Sequence, residues 1–234
     1  MSNEQFKILK TAKTQLGNEI CLLGTKTEPQ NERMVLVIGI FHGDEPQGKF
    51  LIEEYLKRNS NKTLYPQGEL SYSSHNPEKT IRNLLFIPCL NPDGMKLGKR
   101  TNANGVDLNR NFPTQNWKFT ARDEFFGGER PASEIETRFV MEIIEEYKPS
   151  LILTLHAPFK VVNYDGDAKE ISEKISKIIN YPVEESIGYP TPGSFGTYAG
   201  IEKKIPTITL ELDETCPVEE LVSPVFEIFK LLEN

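Results

Sequence analysis

Two of the three histidines in the chain stand where they could hold a metal ion. His42 opens the segment HGDE, so Glu45 follows it three residues later. His42 comes directly after the apolar run 35–41, and His156 comes directly after the apolar run 151–155. Because open α/β sheets bind ligands at the carboxyl ends of their strands, we expect these three side chains to converge. Two imidazoles and one carboxylate leave a fourth position of Zn²⁺ open for water, so the pattern predicts one catalytic zinc ion per chain.

A metal-activated water also needs a proton acceptor, and Glu211 is the candidate. It lies in the apolar run ITLEL, where an ionised carboxylate is costly unless a positive site or hydrogen bonds offset the lost hydration. The residues alone leave a second interpretation open, in which Glu211 faces outward on a strand near the edge of the sheet. The third histidine, His75, lies in the polar segment SYSSHNPEK and is interpreted as a solvated loop residue.

Apolar runs that alternate with helical patterns place these residues in an α/β fold. Strands are predicted at residues 6–11, 20–24, 35–41, 83–90, 151–155 and 205–212. Helices are predicted at residues 45–58, 133–148, 168–179 and 218–232. We therefore predict a single domain over residues 1–234, with three α/β/α layers built on a mixed, mostly parallel central sheet.

Three local patterns refine this outline. The segment SEIE predicts a capping box, in which the Ser133 hydroxyl caps the first turn of a helix and Glu136 reaches back to its start. Pro224 is expected to interrupt the last helix. The stretch 91–129 is rich in Asn, Gly, Pro and Arg, which predicts a long ordered loop region of the kind that often carries function.

Charge and composition limit the possible partners. The chain has 27 Lys and Arg against 34 Asp and Glu, a formal net charge of −7, which argues against binding to nucleic acid or to an anionic membrane. No apolar run approaches the roughly 18 residues of a membrane span, and residues 1–10 lack the pattern of a signal peptide. The three cysteines are far apart and are expected to stay reduced. These features predict a cytoplasmic protein, and they leave its oligomeric state open.

Several tracts together resemble a known family of enzymes. They are HGDE at residue 42, NPDG at 91, RTNANGVDLNRNFP at 100–113, PASEIETR at 131, LHAP at 155, GYPTPGSFG at 188 and TLEL at 209. In these tracts the chain resembles the zinc metallocarboxypeptidases, the relatives of carboxypeptidase A, and within them the short bacterial branch of murein peptide amidases. The resemblance implies the zinc carboxypeptidase-like fold and a zinc site at His42, Glu45 and His156.

The same resemblance implies roles for residues whose types alone do not reveal them. Asp107 looks like the carboxylate that orients a ligand histidine, and Arg100 looks like the arginine that polarises the scissile carbonyl. Asn109 and Arg110 look like the pair that binds the terminal carboxylate of the substrate. Tyr189 precedes Glu211 by 22 positions, the spacing of the family's substrate-capping tyrosine from its glutamate base.

The resemblance also implies a reaction. We expect a zinc-dependent carboxypeptidase or amidase that takes a small peptide, with the bond between γ-D-Glu and diaminopimelate in the murein tripeptide as the expected target. One alternative is a deacylase like aspartoacylase or succinylglutamate desuccinylase, which resemble the same fold. Another is an inactive peptide-binding module on the same scaffold. Relatives hold a cis peptide after the second histidine, so we also expect Ala157–Pro158 to be cis.

Overall fold

The structure, a computed structural model, describes residues 6–25, 33–60, 83–185 and 190–233. His75 therefore lies outside the described residues. The strands are β1 (Lys7–Lys13), β2 (Glu19–Gly24), β3 (Met34–Gly39), β4 (Asn83–Ile87), β5 (Leu151–His156), β6 (Val161–Asp165), β7 (Val183–Glu184) and β8 (Thr207–Glu211). The α-helices are α1 (Gln47–Ser60), α2 (Pro92–Leu97), α3 (Ile135–Tyr147), α4 (Lys169–Ile179) and α5 (Val222–Leu232).

All eight described strands join one mixed sheet in the order β1-β2-β4-β3-β5-β8-β6-β7. The four central strands β4, β3, β5 and β8 run parallel, whereas β1 and β2 form an antiparallel pair at one side and β6 runs antiparallel to β8. β3 and β5 are buried at every position, as strands covered on both faces must be. The expected mixed α/β sheet is therefore confirmed.

Two hydrophobic clusters lie on opposite faces of this sheet. Val35 and Val37 belong to the first cluster and Leu36 and Ile38 to the second, as the alternation of side chains along a strand requires. Helices α1, α4 and α5 contribute apolar side chains to the first cluster, and α3 contributes to the second. The chain thus forms the three α/β/α layers that the sequence predicted.

The capping box expected at residue 133 is wrong. α3 begins at Ile135 with Glu134 as its N-cap residue, which makes no side-chain cap. The Ser133 hydroxyl donates to Oε1 of Glu134 at 2.6 Å, and Glu136 accepts at 3.3 Å from the Asn102 side chain. Asn102 also donates to Glu134, so both acids are bonded to a neighbouring loop and the reciprocal bonds of a capping box do not form.

Two other local expectations also need correction. Pro224 does not interrupt the last helix, because α5 begins at Val222 and a proline in the first turn removes no N–H that the helix would use. The stretch 91–129 is not wholly loop, since it contains α2 and a 3₁₀ turn at Leu108–Arg110. The Ala157–Pro158 peptide is cis, as expected. None of the described helices is both long and apolar enough to span a bilayer.

Candidate active site

The loop that carries His42 and Glu45 is held in place by its neighbours. β3 ends at Gly39, and the chain then passes through Ile40, which has a positive φ of 52°. Backbone N–H groups of Leu90 and Asn91 donate to the carbonyls of Gly39 and Ile40 at 3.0 Å each. The loop therefore leaves the carboxyl edge of the sheet in a fixed direction before α1 begins.

The three side chains predicted to bind zinc converge on one point. One possible ligand atom from each of His42, Glu45 and His156 lies within 4.8 Å of the others. Glu45 Oε1 is 2.7 Å from His42 Nδ1, and Glu45 Oε2 is 3.1 Å from His156 Nδ1. The two Nδ1 atoms are 3.3 Å apart. Two imidazole nitrogens and a carboxylate in this arrangement are the donor set of a catalytic zinc site.

Charges around His42 fix its orientation. Its Nε2 lies 3.2 Å from Oδ1 of the fully buried Asp107, so Nδ1 points toward Glu45. Burial opposes protonation of His42, but Asp107 and Glu45 outweigh it and raise the pKa of the imidazole to about 9. Burial likewise works against ionised carboxylates, yet His42 keeps the pKa of Glu45 and that of Asp107 well below their ordinary values. Both acids therefore carry negative charge at neutral pH.

Glu211 is placed beside this cluster by strand pairing. In the parallel pairing of β5 with β8, Glu211 is the partner of His156. The residue is 6% exposed, and its Oε2 is buried with no hydrogen-bond partner among the described residues. Burial raises the pKa of this carboxyl, while the nearby His156 lowers it. Because β8 lies between β5 and β6, the alternative of an outward-facing Glu near the sheet edge is excluded.

Arg100 lies between two acidic groups of the cluster. Its Nε and Nη2 donate to Oδ2 of Asp107 at 3.1 and 3.0 Å, and its Nη1 is 3.8 Å from Oε1 of Glu45. The guanidinium also lies over the Phe125 ring, 5.3 Å from its centroid. A cation fixed from two sides is well suited to stabilise a negative charge that develops beside Glu45.

Asn109 and Arg110 lie on the 3₁₀ turn that follows Asp107. The Asn109 N–H donates to Oδ1 of Asp107 at 2.8 Å, and its side-chain oxygen accepts from the Phe195 N–H at 2.8 Å. The Arg110 Nη1 donates to the Asn109 carbonyl at 2.7 Å. Arg110 is 6% exposed, and no described carboxylate lies within ion-pair distance of its guanidinium. Asp107 lies close enough for the Arg110 charge to help lower its pKa, but that carboxylate already accepts from Arg100 and Asn109. The Arg110 guanidinium therefore has donors left for a bound carboxylate.

The remaining predicted site residue, Tyr189, lies outside the described residues. Two contributors were missed by the sequence reasoning. The Ala157 N–H donates to Oε2 of Glu45 at 3.2 Å, and Phe41 stacks on His156 with ring centroids 5.3 Å apart and planes at 23°. Phe41 carries no separate signal in the sequence, because it is one more apolar residue of the run before His42.

The tract NPDG had no assigned role, and the structure gives it one. The Asn91 side chain accepts from the Gly94 N–H at 2.9 Å and so caps α2, and its Nδ2 donates to the Phe41 carbonyl at 3.1 Å. Gly94 and Gly43 approach so closely that a Cβ on Gly43 would lie 2.1 Å from the Gly94 carbonyl carbon. Through this contact the loop that carries His42 and Glu45 packs directly against α2.

Comparisons with known proteins agree with this geometry. The family model of the zinc carboxypeptidases matches residues 2–189. Murein peptide amidase A of Escherichia coli (strain K12) is 34% identical over 165 residues, which are 65% of this chain and 67% of that protein. Its counterpart in Vibrio campbellii (strain ATCC BAA-1116) is 36% identical over 138 residues, 54% of this chain and 55% of that protein.

Solved structures give the same result at the level of the fold. The crystal structure of murein-tripeptide amidase from Escherichia coli O157 superposes with a TM-score of 0.74 at 26% identity, covering 98% of this chain and 92% of that one. Thrombin-activatable fibrinolysis inhibitor superposes with a TM-score of 0.77 at 15% identity, covering 98% of this chain and 68% of that one. The second likeness concerns the fold alone.

Proposed function

This chain belongs to the zinc carboxypeptidase family of peptide-bond hydrolases, and we propose that it hydrolyses the bond between γ-D-Glu and diaminopimelate in the murein tripeptide L-Ala-γ-D-Glu-meso-diaminopimelate. The relatives named murein peptide amidase support this substrate. The observation that carries the proposal is the unpartnered, buried carboxyl oxygen of Glu211 beside the cluster of His42, Glu45 and His156.

In this proposal His42, Glu45 and His156 hold the zinc ion. Asp107 keeps the His42 ring oriented through Nε2, as carboxylates behind metal-binding histidines commonly do. The Ala157 N–H holds one oxygen of Glu45 in the same way. A bound zinc ion would polarise the scissile carbonyl and lower the pKa of its water ligand toward about 7.

Glu211 is the proposed proton carrier. Its Oε2 has no described partner, so it is free to accept the proton of the attacking water. Burial keeps the pKa of its carboxyl raised, which makes it a better base than an exposed glutamate. The same carboxyl then donates the proton to the departing amine of diaminopimelate.

Two arginines are proposed to position the substrate. Arg110 and Asn109 bind the free carboxylate next to the scissile amide, because Arg110 is a nearly buried cation that no described acid pairs with. Arg100 stabilises the oxyanion that develops on the scissile carbonyl, a task in which the loss of one donor costs roughly 10²- to 10³-fold in rate. Tyr189 remains the proposed cap over the substrate.

The proposed compartment is the cytoplasm, and the proposed unit is a single catalytic domain over residues 1–234. All three cysteines are unpaired, in keeping with a reducing compartment. The described residues share one continuous sheet with a core on each face, which supports a single folding unit.

A product assay tests the proposal directly. Zinc-loaded protein is incubated with the tripeptide, with and without chelator, and release of diaminopimelate is measured by mass spectrometry. We expect release that the chelator abolishes and added zinc restores. N-acetylaspartate and N-succinylglutamate are run in parallel, because cleavage of either in preference to the tripeptide would establish a deacylase. Binding of the tripeptide by the zinc-loaded protein without cleavage would establish an inactive module.

A further inference from the structure

A cavity of about 410 Å³ opens beside the candidate active site. Arg100 lines it, and so does Asp44, which directly precedes the candidate ligand Glu45. Neither Asn109 nor Arg110 lines it. Arg100, the proposed oxyanion stabiliser, thus faces both the scissile carbonyl and this cavity, so a substrate whose terminal carboxylate is held by Arg110 would direct its acyl side toward the cavity.

The cavity carries charge of both signs. Its charged side chains are the cations Lys99, Arg100 and Arg122 and the acids Asp44, Asp123 and Glu124. A volume of this size lies within the range of ordinary small-molecule sites, which hold about 300 to 1,000 Å³. Such a lining suits a ligand that is itself charged at both ends.

Most of these charges are already engaged within the protein. Arg100 is fixed by Asp107, and Arg122 pairs with Glu129. Asp123 accepts from the Phe125 N–H at 2.9 Å. By contrast, the exposed side chains of Lys99 and Glu124 form no hydrogen bond or ion pair within the described part of the chain. Asp44 forms no hydrogen bond with a described residue either, but it lies close enough to Arg100 to help raise the pKa of that guanidinium. Lys99 and Glu124 are thus the lining charges left to meet a ligand.

The acyl half of the proposed substrate has the matching chemistry. L-Ala-γ-D-Glu carries an ammonium on the alanine and a free α-carboxylate on the glutamate, which is linked through its side chain. An ordinary peptide linked through its α-carboxyl carries a carboxylate on this residue only when the residue is Asp or Glu. A site that pairs with both charges therefore favours the γ-linked substrate, because the α-linked one forms fewer ion pairs there.

We propose that this cavity binds the acyl half of the substrate, with Lys99 pairing with its free carboxylate and Glu124 pairing with its ammonium. This inference rests on the proposed function for the identity of the ligand. Lys99 and Glu124 are specificity residues in this arrangement, and the proton transfer stays with Glu211.

The test is a binding experiment that needs no turnover. Isothermal titration calorimetry measures the binding of L-Ala-γ-D-Glu to the zinc-loaded protein. Two modified dipeptides are compared with it, one with the ammonium acetylated and one with the α-carboxylate converted to a carboxamide. The proteins are the parent, Lys99→Met and Glu124→Gln. Lys169→Met and Glu173→Gln on α4 serve as matched controls, because both are exposed and outside the cavity.

We expect Lys99→Met to weaken binding of the unmodified dipeptide about two- to fivefold, as for a solvent-exposed charge pair. The same variant should bind the carboxamide as the parent does. Glu124→Gln should bind the unmodified dipeptide and the carboxamide more weakly than the parent does, because both ligands keep the ammonium. It should bind the acetylated dipeptide as the parent does. The two controls should match the parent throughout.

Undetectable binding of the unmodified dipeptide at millimolar concentration, or losses of equal size for all three ligands, would overturn the proposal. These outcomes are separate from the cleavage assay. Tripeptide hydrolysis without charge-dependent binding refutes the cavity assignment alone. Charge-dependent binding without hydrolysis refutes the proposed reaction and leaves the cavity assignment in place.

Discussion

Asp107 connects most of the side chains on which the proposed chemistry depends. It accepts from the Arg100 guanidinium and from the Asn109 N–H, and its Oδ1 faces Nε2 of His42. Asp107 is fully buried, so each of these contacts acts in surroundings where charge–charge interactions are strong. One carboxylate therefore fixes a candidate metal ligand, the candidate oxyanion stabiliser and the start of the carboxylate-binding turn.

The role of Glu211 can be separated from metal binding. Replacing Glu211 with Gln keeps the size of the side chain but removes its ability to accept a proton. We expect zinc content to stay at the parent level while kcat for the tripeptide falls by about 10³-fold or more, since general-base catalysis contributes roughly 10²- to 10⁴-fold. Elemental analysis and steady-state kinetics on the same preparation provide both values. Full turnover by a zinc-loaded Glu211→Gln protein would rule out this assignment.

At the scale of elements, a contact between two glycines joins the metal-binding loop to α2. A Cβ on Gly94 would lie 2.5 Å from the Asn91 side chain and 2.5 Å from the Thr101 carbonyl oxygen. A Cβ on Gly43 would collide with the backbone of Gly94 itself. The backbone cannot yield as a flexible side chain can, so the position of His42 depends on the absence of side chains at this contact.

Gly43→Ala should therefore weaken the metal site. We expect the affinity for zinc to fall at least tenfold, because the displaced loop moves His42 and Glu45 relative to His156. The measurement is competition with a chromophoric chelator. Gly17→Ala is the control: Gly17 has a φ of 78°, and a Cβ added there would have no neighbouring atom within 4 Å, so this change should cost some stability but leave zinc affinity unchanged. Equal zinc affinity in both variants would contradict the role given to the glycine contact.

A second connection between elements holds the chain just before Asp107. The Asn102 side chain donates to Glu134 at 2.8 Å and to Glu136 at 3.3 Å, and its oxygen accepts from the Val106 N–H at 3.1 Å. Glu136 is 1% exposed, and burial together with the neighbouring Glu134 raises the pKa of its carboxyl to about 7. The loop that leads into the active site is thus attached to the start of α3 through Glu134 and Glu136.

This attachment predicts a pH-dependent stability. An ordinary glutamate loses its proton near pH 4.5, whereas folded Glu136 keeps it until about pH 7. The folded state therefore binds the proton more tightly, and its contribution to stability is lost as the pH rises from about 4.5 through 7. The advantage of Glu136→Gln over the parent in unfolding free energy should therefore be about 1 to 3 kcal/mol larger at pH 8 than at pH 5.

Chemical denaturation at the two pH values measures the difference between Glu136→Gln and the parent. Glu142→Gln serves as the control, because it lies on the same helix with 62% of its side chain exposed and should show no such change between pH 5 and pH 8. A Glu136→Gln advantage of equal size at both pH values would contradict the proton linkage.

For the molecule as a whole, the sequence predicts those strands and site residues that are marked by a pattern within one segment or by the same pattern in several segments. The buried strands around Val35 and Leu151 were recognised because both faces are apolar. The candidate metal cluster followed from where these strands end, and the structure brings its three side chains together. The position of Glu211 beside His156 is harder to predict from the sequence, because it depends on the register between two strands that are more than fifty residues apart.

The elements that were missed depend on contacts that no single segment contains. The segment that begins at Ser133 has the sequence of a capping box, but the Asn102 side chain donates hydrogen bonds to Glu134 and Glu136 instead. β6 was not predicted because Val161–Asp165 has only five residues, two of which, Asn163 and Asp165, are polar. α2 has only six residues, and it is stabilised by the Asn91 cap and by contact with the metal-binding loop.

Removal of zinc should affect the entire fold. The proposed ligands come from the loop after β3 and from the end of β5, so an ion bound there links two central strands. A ligand that binds only the folded state stabilises it by about 4 kcal/mol at a thousandfold excess over its Kd. For a chain of this size we expect chelation to lower Tm by roughly 8 to 16 °C, measured by differential scanning calorimetry. His156→Ala should already show the lower Tm and should not respond to the chelator.

The pairing of His156 with Glu211 gives a way to assess whether a purified preparation is correctly folded. If β8 shifted by one residue against β5, a leucine would stand beside His156 and the carboxylate would turn to the opposite face of the sheet. Such mispaired molecules would still bind zinc, since none of the proposed ligands lies on β8. Turnover per mole of bound zinc therefore measures the fraction of molecules in which β8 has the correct register, without any label or probe.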